Sequence, residues 1–176
     1  SFIFAAIATL LAKKTKLPVK LRMDRDADII ISGKRHDFYS EYEVGYDGLG
    51  FIESLKIKLA SRCGISPDLS GAINTRALLH IDNAYFLPNV LVDNYLCKTN
   101  TASNTAFRGF GGNQGMMVIE NIIDNVARSL NKDPSEIRRR NFYQKERKNI
   151  THYGMKVEDN VIHEIFDKLV KSSHYK

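Results

Sequence analysis

The sequence predicts an α+β fold, with antiparallel strands packed with helices. Three observations predict it. An apolar helical run opens the chain, period-two alternation then recurs between residues 18 and 59, and capped helical stripes follow from residue 114 onward. Elements of each kind are grouped along the chain, unlike the strict alternation of βαβ units.

The opening run, Phe2 to Ala12, is apolar nearly all round and is followed by Lys13, Lys14 and Lys16. It is too short to span a bilayer and lacks a preceding basic region, so it is expected to be a buried helix rather than a signal or an anchor. A buried helix starting at residue 1 suggests an internal piece of a longer chain. Pro18 ends the helical pattern. Residues 18–23 alternate (Val19, Leu21, Met23 against Lys20, Arg22) and read as a half-buried strand, and Asp28 to Ser32, with three isoleucines in a row, as another. Glu41 to Tyr46 and Phe51 to Leu59 alternate on either side of Asp47-Gly48-Leu49-Gly50 and form an antiparallel hairpin, with a slip near Glu53-Ser54 that predicts a bulge.

Cys63 to Leu69 reads as loop, Ile73 to Ile81 as helix and Leu91 to Lys98 as strand. A glycine-rich stretch leads into a helical stripe from Gln114 to Leu130 carrying Met117, Ile122, Ile123 and Val126. Asp133-Pro134-Ser135-Glu136 is a helix start, with Asp133 as N-cap, Pro134 at the first helical position and Glu136 at the capping-box position. Asp159 is expected to cap a last helix carrying Ile162, Ile165, Phe166 and Leu169.

The composition is that of an ordinary globular protein: 176 residues, 43% hydrophobic, 26% charged, with 11 Gly and 4 Pro. It excludes a disordered tail, a collagen-like rod and a disulfide scaffold. The whole of 1–176 is expected to be one domain. The 26 Lys+Arg against 20 Asp+Glu give a net charge of +6, which allows an acidic partner without requiring one. No nucleic-acid motif accompanies the Arg138 to Arg140 run, which reads as solvated helix surface, so no nucleic acid and no membrane are expected among the partners. Cys63 and Cys97 match no metal spacing and read as reduced thiols of a cytoplasmic protein.

Two places carry candidate chemistry. In Ala106-Phe107-Arg108-Gly109-Phe110-Gly111-Gly112 the glycines permit positive φ and close backbone approach, and unpaired amides at a helix start favour anionic or oxo ligands. The competing reading is a tight turn with Phe110 in the core. Arg76 sits in an apolar helical stretch, where a guanidinium needs a partner or a pocket; pairing with Asp82 or snorkelling to solvent is the alternative. His80 and Asp82 read as structural, and His36 has no partner pattern.

The segment from Cys97 to Gly115, together with Arg76 to Tyr85 and Met23 to Phe38, resembles the molybdenum-binding subunit of the xanthine dehydrogenases, of the xanthine oxidase/aldehyde oxidase family. The motifs occur in the same order and cover nearly the whole chain. Asn113 departs from the family's proline after the double glycine, which softens the start of the helix. The resemblance implies a fragment of a molybdopterin-binding domain. The complete enzyme would hydroxylate xanthine or hypoxanthine to urate, with water as oxygen source and NAD as final acceptor. It implies a molybdenum–molybdopterin cofactor, with FAD and [2Fe-2S] clusters on other segments or subunits of a hetero-oligomer. Arg76 matches the arginine that binds the purine and stabilises negative charge on it. Phe110 matches the phenylalanine that packs on the purine ring. Arg108 matches the position whose main chain approaches molybdenum, with no metal ligand from a side chain. The base glutamate of the family has no counterpart in this chain, so the fragment is expected to be inactive alone. An aldehyde-oxidising relative is the alternative, and it would generally lack Arg76.

Overall fold

The hairpin forms as the alternation requires. Strand β1 (Phe38–Tyr46) pairs antiparallel with β2 (Ile52–Gly64), and the register shifts at Gly45/Tyr46, leaving Glu53 as the extra residue. The anticipated bulge is therefore present, and Asp47 closes the turn by accepting from the N–H groups of Leu49, Gly50 and Phe51. Along β2, Leu55, Ile57 and Leu59 are buried while Lys56 and Lys58 face solvent, so one face of the sheet meets the core. Helix α3 (Ser70–Leu79) then crosses to β3 (Val90–Lys98), which pairs parallel to β2 and gives the order β1-β2-β3. Helix α4 (Gly112–Ser129) lays Val118, Ile119, Ile122, Ile123 and Val126 on the core, joined by Ala77 and Ile81 and by Ile137 from α5 (Pro134–Asn141).

The structure is a computed structural model and describes residues 2–175. The chain divides into two compact units, one up to Gly33 and one from Lys34 onward. The first holds α1 (Phe2–Thr15) and α2 (Arg25–Ile31). The expectation of a buried first helix is corrected here: α1 has no buried residue, with Phe2 84% and Leu10 65% exposed. A unit this small has too little surface to enclose a core. The strand expected at 18–23 is absent, and no strand among the described residues pairs with this stretch. The strand expected at 28–32 is helix α2 instead. Asp24 caps it by accepting from Ala27 N at 2.9 Å, and Asp26 and Asp28 lie in its first turn, which outweighs the β-branched isoleucines.

In the second unit Asp133 caps α5 as expected, accepting from Ser135 N at 2.7 Å. Glu136 does not reach back to complete the capping box; it pairs with Arg140 one turn on. The cap expected from Asp159 is also displaced. Helix α6 (Ile162–Ser172) starts later, and Asn160 Oδ1 accepts from Ile162 N at 3.1 Å. Nor are the three arginines a uniform solvated surface. Arg138 binds Glu120 and Asp124 of α4, Arg139 pairs with Asp167 and Arg140 with Glu136.

Candidate functional site

Helix α3 is held down by Ile73, Asn74 and Ala77, all buried, which turns Arg76 outward. Arg76 is exposed, and its guanidinium makes no hydrogen bond or ion pair with another described residue. Asp82 does not neutralise it. That carboxylate is buried, accepts from Tyr143 Oη at 2.7 Å and lies 3.5 Å from Nδ1 of His152. Burial, then the bond to Asp82, holds the Tyr143 hydroxyl well above its ordinary range, so it stays a donor. Asp82 and His80 are structural: His80 Nδ1 donates to Arg76 O at 3.0 Å.

The glycine-rich stretch folds into a tight left-handed turn before α4. Gly109, Phe110 and Gly111 have φ of 91°, 50° and 97°. Phe110 N donates to Phe107 O at 2.8 Å, and Gly112 N to Gly109 O at 3.0 Å. A phenylalanine with positive φ costs on the order of 1–3 kcal/mol, and such residues cluster at functional sites. Phe110 is half-buried, so it is not a fully enclosed core ring, and Arg108 is exposed. The N–H groups of Arg108, Gly109 and Gly111 donate to no other described residue. Gly111 is itself buried against α3, while Arg108 and Gly109 are exposed just ahead of the positive end of α4, donors suited to an oxo or anionic group.

Close backbone packing brings the two places together. A Cβ on Gly111 would lie 2.1 Å from Ile73 O, and one on Gly115 2.2 Å from Ala77 O, so α4 begins directly against α3. A Cβ on Gly112 would lie 3.8 Å from Arg76 Nε and 3.4 Å from the His80 ring. Arg76 Nε therefore lies beside Gly112, two residues after Phe110. Asn113 folds its amide back over the turn, its Oδ1 occupying the space beside the Gly109 α-carbon.

Residues 34–36 lie in the resembling stretch Met23 to Phe38, but sequence reasoning gave them no role beside this turn. Lys34 O accepts from Thr105 N at 3.0 Å, and the Arg35 guanidinium stacks 4.7 Å from the Phe107 ring centroid. His36 is buried, with Nε2 2.6 Å from Ser70 Oγ at the start of α3, and its carbonyl accepts from Gln114 Nε2 at 3.1 Å. Burial pushes the His36 imidazole below its ordinary pKa, against the opposing pull of Asp68 and Asp37. No local spacing announces such a role, because every partner is distant in sequence.

A cavity of about 750 Å³ lies elsewhere, between the hairpin and residues 87–91, and includes none of Arg76, Arg108 and Phe110. Among the described residues no group of three or more His, Cys, Asp or Glu is placed to hold a metal ion. No helix among them is long and apolar enough to cross a membrane. Cys63 is buried, Cys97 exposed, and both are free.

An α+β unit presenting a glycine turn of open amides beside an uncompensated arginine has clear relatives. The molybdopterin cofactor-binding domain model matches residues 1–142, and the chain belongs to that family. Its cofactor is accordingly molybdenum–molybdopterin, and the amides around Arg108 fit the oxygen-rich periphery of such a group. The xanthine dehydrogenase/oxidase of Gallus gallus is 43% identical over 173 residues, 98% of this chain and 13% of that protein. The xanthine dehydrogenase of Oryza sativa subsp. japonica is 42% identical over 175 residues, 99% of this chain and 13% of that protein. Among solved structures, an aldehyde oxidoreductase from Desulfovibrio desulfuricans ATCC 27774 superposes with a TM-score of 0.74 at 26% identity, over 81% of this chain and 16% of that one. Quinoline 2-oxidoreductase from Pseudomonas putida 86, at 22% identity, shares the fold with a TM-score of 0.78 over 96% of this chain and 22% of that one. The chain thus spans about an eighth of the length of these curated relatives, 13%.

Proposed function

We propose that residues 1–176 are part of the molybdopterin-binding domain of a cytoplasmic xanthine dehydrogenase, which hydroxylates xanthine or hypoxanthine to urate with water as oxygen source and NAD as final acceptor. FAD and [2Fe-2S] centres would lie on other segments or on partner subunits. The observation that carries this reading is Arg76, exposed and uncompensated, beside the turn that presents Phe110. The cofactor, when bound, supplies the redox chemistry. The chain's own residues bind and orient the substrate. The Arg76 guanidinium donates to a purine carbonyl and gains strength as negative charge builds on the ring, which lowers the barrier rather than merely tightening binding. The Phe110 ring offers a face or edge to a flat heterocycle, worth about 0.5–1.5 kcal/mol beyond burial. The exposed main-chain N–H groups of Arg108 and Gly109 would hold oxygens of the cofactor.

The second reading, an aldehyde-oxidising enzyme, is favoured by the aldehyde oxidoreductase among the structural neighbours. An aldehyde has no ring carbonyl for a guanidinium. The two are separated by Arg76→Met in the complete enzyme, a change that keeps the apolar stem and removes the charge. Xanthine turnover should fall by about 100- to 1000-fold, the loss typical of a removed charge-stabilising donor. Turnover of a simple aromatic aldehyde should change far less. Equal losses on both substrates would place Arg76 in a structural role and remove the purine reading.

A further inference from the structure

The segment 34–36 touches every element that carries a candidate site residue. Thr105 N donates to Lys34 O, and Asn104 Oδ1 accepts from Lys34 N at 3.3 Å, which fixes the run leading to Arg108. The Arg35 guanidinium covers Phe107, three residues before Phe110. His36 reaches α3 through Ser70 and α4 through Gln114, one helix carrying Arg76 and the other following Phe110. We infer that His36 is a positioning residue for the reaction, setting the spacing between Arg76 on α3 and the Phe110 turn at the start of α4.

The inference rests on the reading of Arg76 and Phe110 given above. Its physical basis is the short, buried contact between His36 Nε2 and Ser70 Oγ at 2.6 Å. With His36 only 2% exposed, water cannot take over this bond, and its loss leaves Ser70, itself buried, unsatisfied at the root of α3. His36 Nδ1 and Gln114 Oε1 are also buried without partners. The segment thus carries polar groups that packing alone would replace by apolar ones. A helix root free to shift moves the guanidinium relative to the ring, and a displacement of about 1 Å at a reacting centre costs up to about 100-fold in rate.

The test uses the complete molybdenum-loaded enzyme with His36→Leu, His36→Gln, Arg76→Met and the double variant His36→Leu/Arg76→Met. Turnover is expressed per bound molybdenum, and hydrogen exchange of residues 69–76 and 105–115 is followed in parallel. His36→Leu should lower xanthine turnover per molybdenum by about 10- to 100-fold, with exchange rising in both segments. His36→Gln, whose amide reaches the Nε2 position, should restore most of both. In the Arg76→Met background His36→Leu should add little further loss, because coupled residues are not additive. Unchanged turnover per molybdenum, Gln no better than Leu, or fully multiplicative losses would each overturn the inference while leaving the purine reading intact. Should Arg76→Met prove unselective between xanthine and aldehyde, the purine reading falls by itself. The exchange data then decide for His36: a rise that Gln reverses upholds the positioning, and no rise overturns it.

Discussion

At Gly115 the usual helix rule reverses. Alanine is ordinarily favoured over glycine in a helix interior by about 1 kcal/mol. Here an added methyl would sit 2.2 Å from Ala77 O, a backbone atom that cannot step aside without moving α3. Gly115→Ala should therefore destabilise the chain by about 1–3 kcal/mol, the range for forced overpacking. Thermal unfolding checks it, and a raised melting temperature would mean that the two helices are not in contact there. The same close approach explains what the sequence disclosed of the site. The glycines and Arg76 stood out locally, one by unusual spacing and the other by an unusual setting. Their adjacency did not, because it depends on α3 and α4 meeting through Gly111 and Gly115. His36 was illegible for a stronger reason: its partners Ser70 and Gln114 lie 34 and 78 residues away.

Elements were legible where the local pattern and its neighbours agreed. The hairpin, its bulge at Glu53, α4 and the Asp133 cap follow from alternation, helical stripe and cap chemistry, and the hairpin and α4 each have a core face to occupy, although Met117, expected on the α4 stripe, is 72% exposed. Residues 18–31 depart from their pattern because alternation and β-branching make a strand only where another strand pairs with it, and the Asp24 cap favours a helix instead. Helix α5 falls between these cases: its start at Asp133-Pro134 is as the cap chemistry implies, but its arginines are not a uniform solvated surface. Arg138 is 27% exposed and joins α5 to α4, with Nε 2.9 Å from Glu120 and a terminal nitrogen 2.8 Å from Asp124. Glu120 also accepts from Tyr85 Oη at 2.6 Å and Asn83 Nδ2 at 2.9 Å, so the carboxylate joins three side chains, two from the segment after α3 and one from α5. Burial and that bond hold the Tyr85 hydroxyl protonated at all ordinary pH. Arg138→Met should cost about 1.5–3 kcal/mol, as for a hydrogen bond to a charged group. Arg139→Met, whose side chain is 55% exposed, should cost about 0–1 kcal/mol. Denaturant unfolding of the two variants checks the contrast, and equal midpoints would reduce Arg138 to the solvated surface that its sequence context suggests.

At the scale of the whole chain, what decides is that the candidate site is one-sided. Arg76, Arg108 and Gly109 are exposed, and Phe110 is only half-buried. The chain offers the cofactor the open N–H groups of Arg108 and Gly109 on this surface. Each such bond contributes about 0.5–1.5 kcal/mol net, because water competes for the same donors. Their sum is therefore only a few kcal/mol, whereas immobilising a ligand costs an estimated 4–15 kcal/mol. The balance turns favourable only when further walls exclude water and add contacts of their own, as the much greater length of the relatives allows. The 176-residue chain by itself should consequently hold far less than one molybdenum per chain, even when produced in a host that makes the cofactor. Metal analysis of the purified chain, set beside the full-length protein from the same host, checks this. A ratio near one in the isolated chain would show that the glycine turn and its neighbours bind the cofactor without enclosure, and would shift the weight of recognition onto contacts that these two amides do not account for.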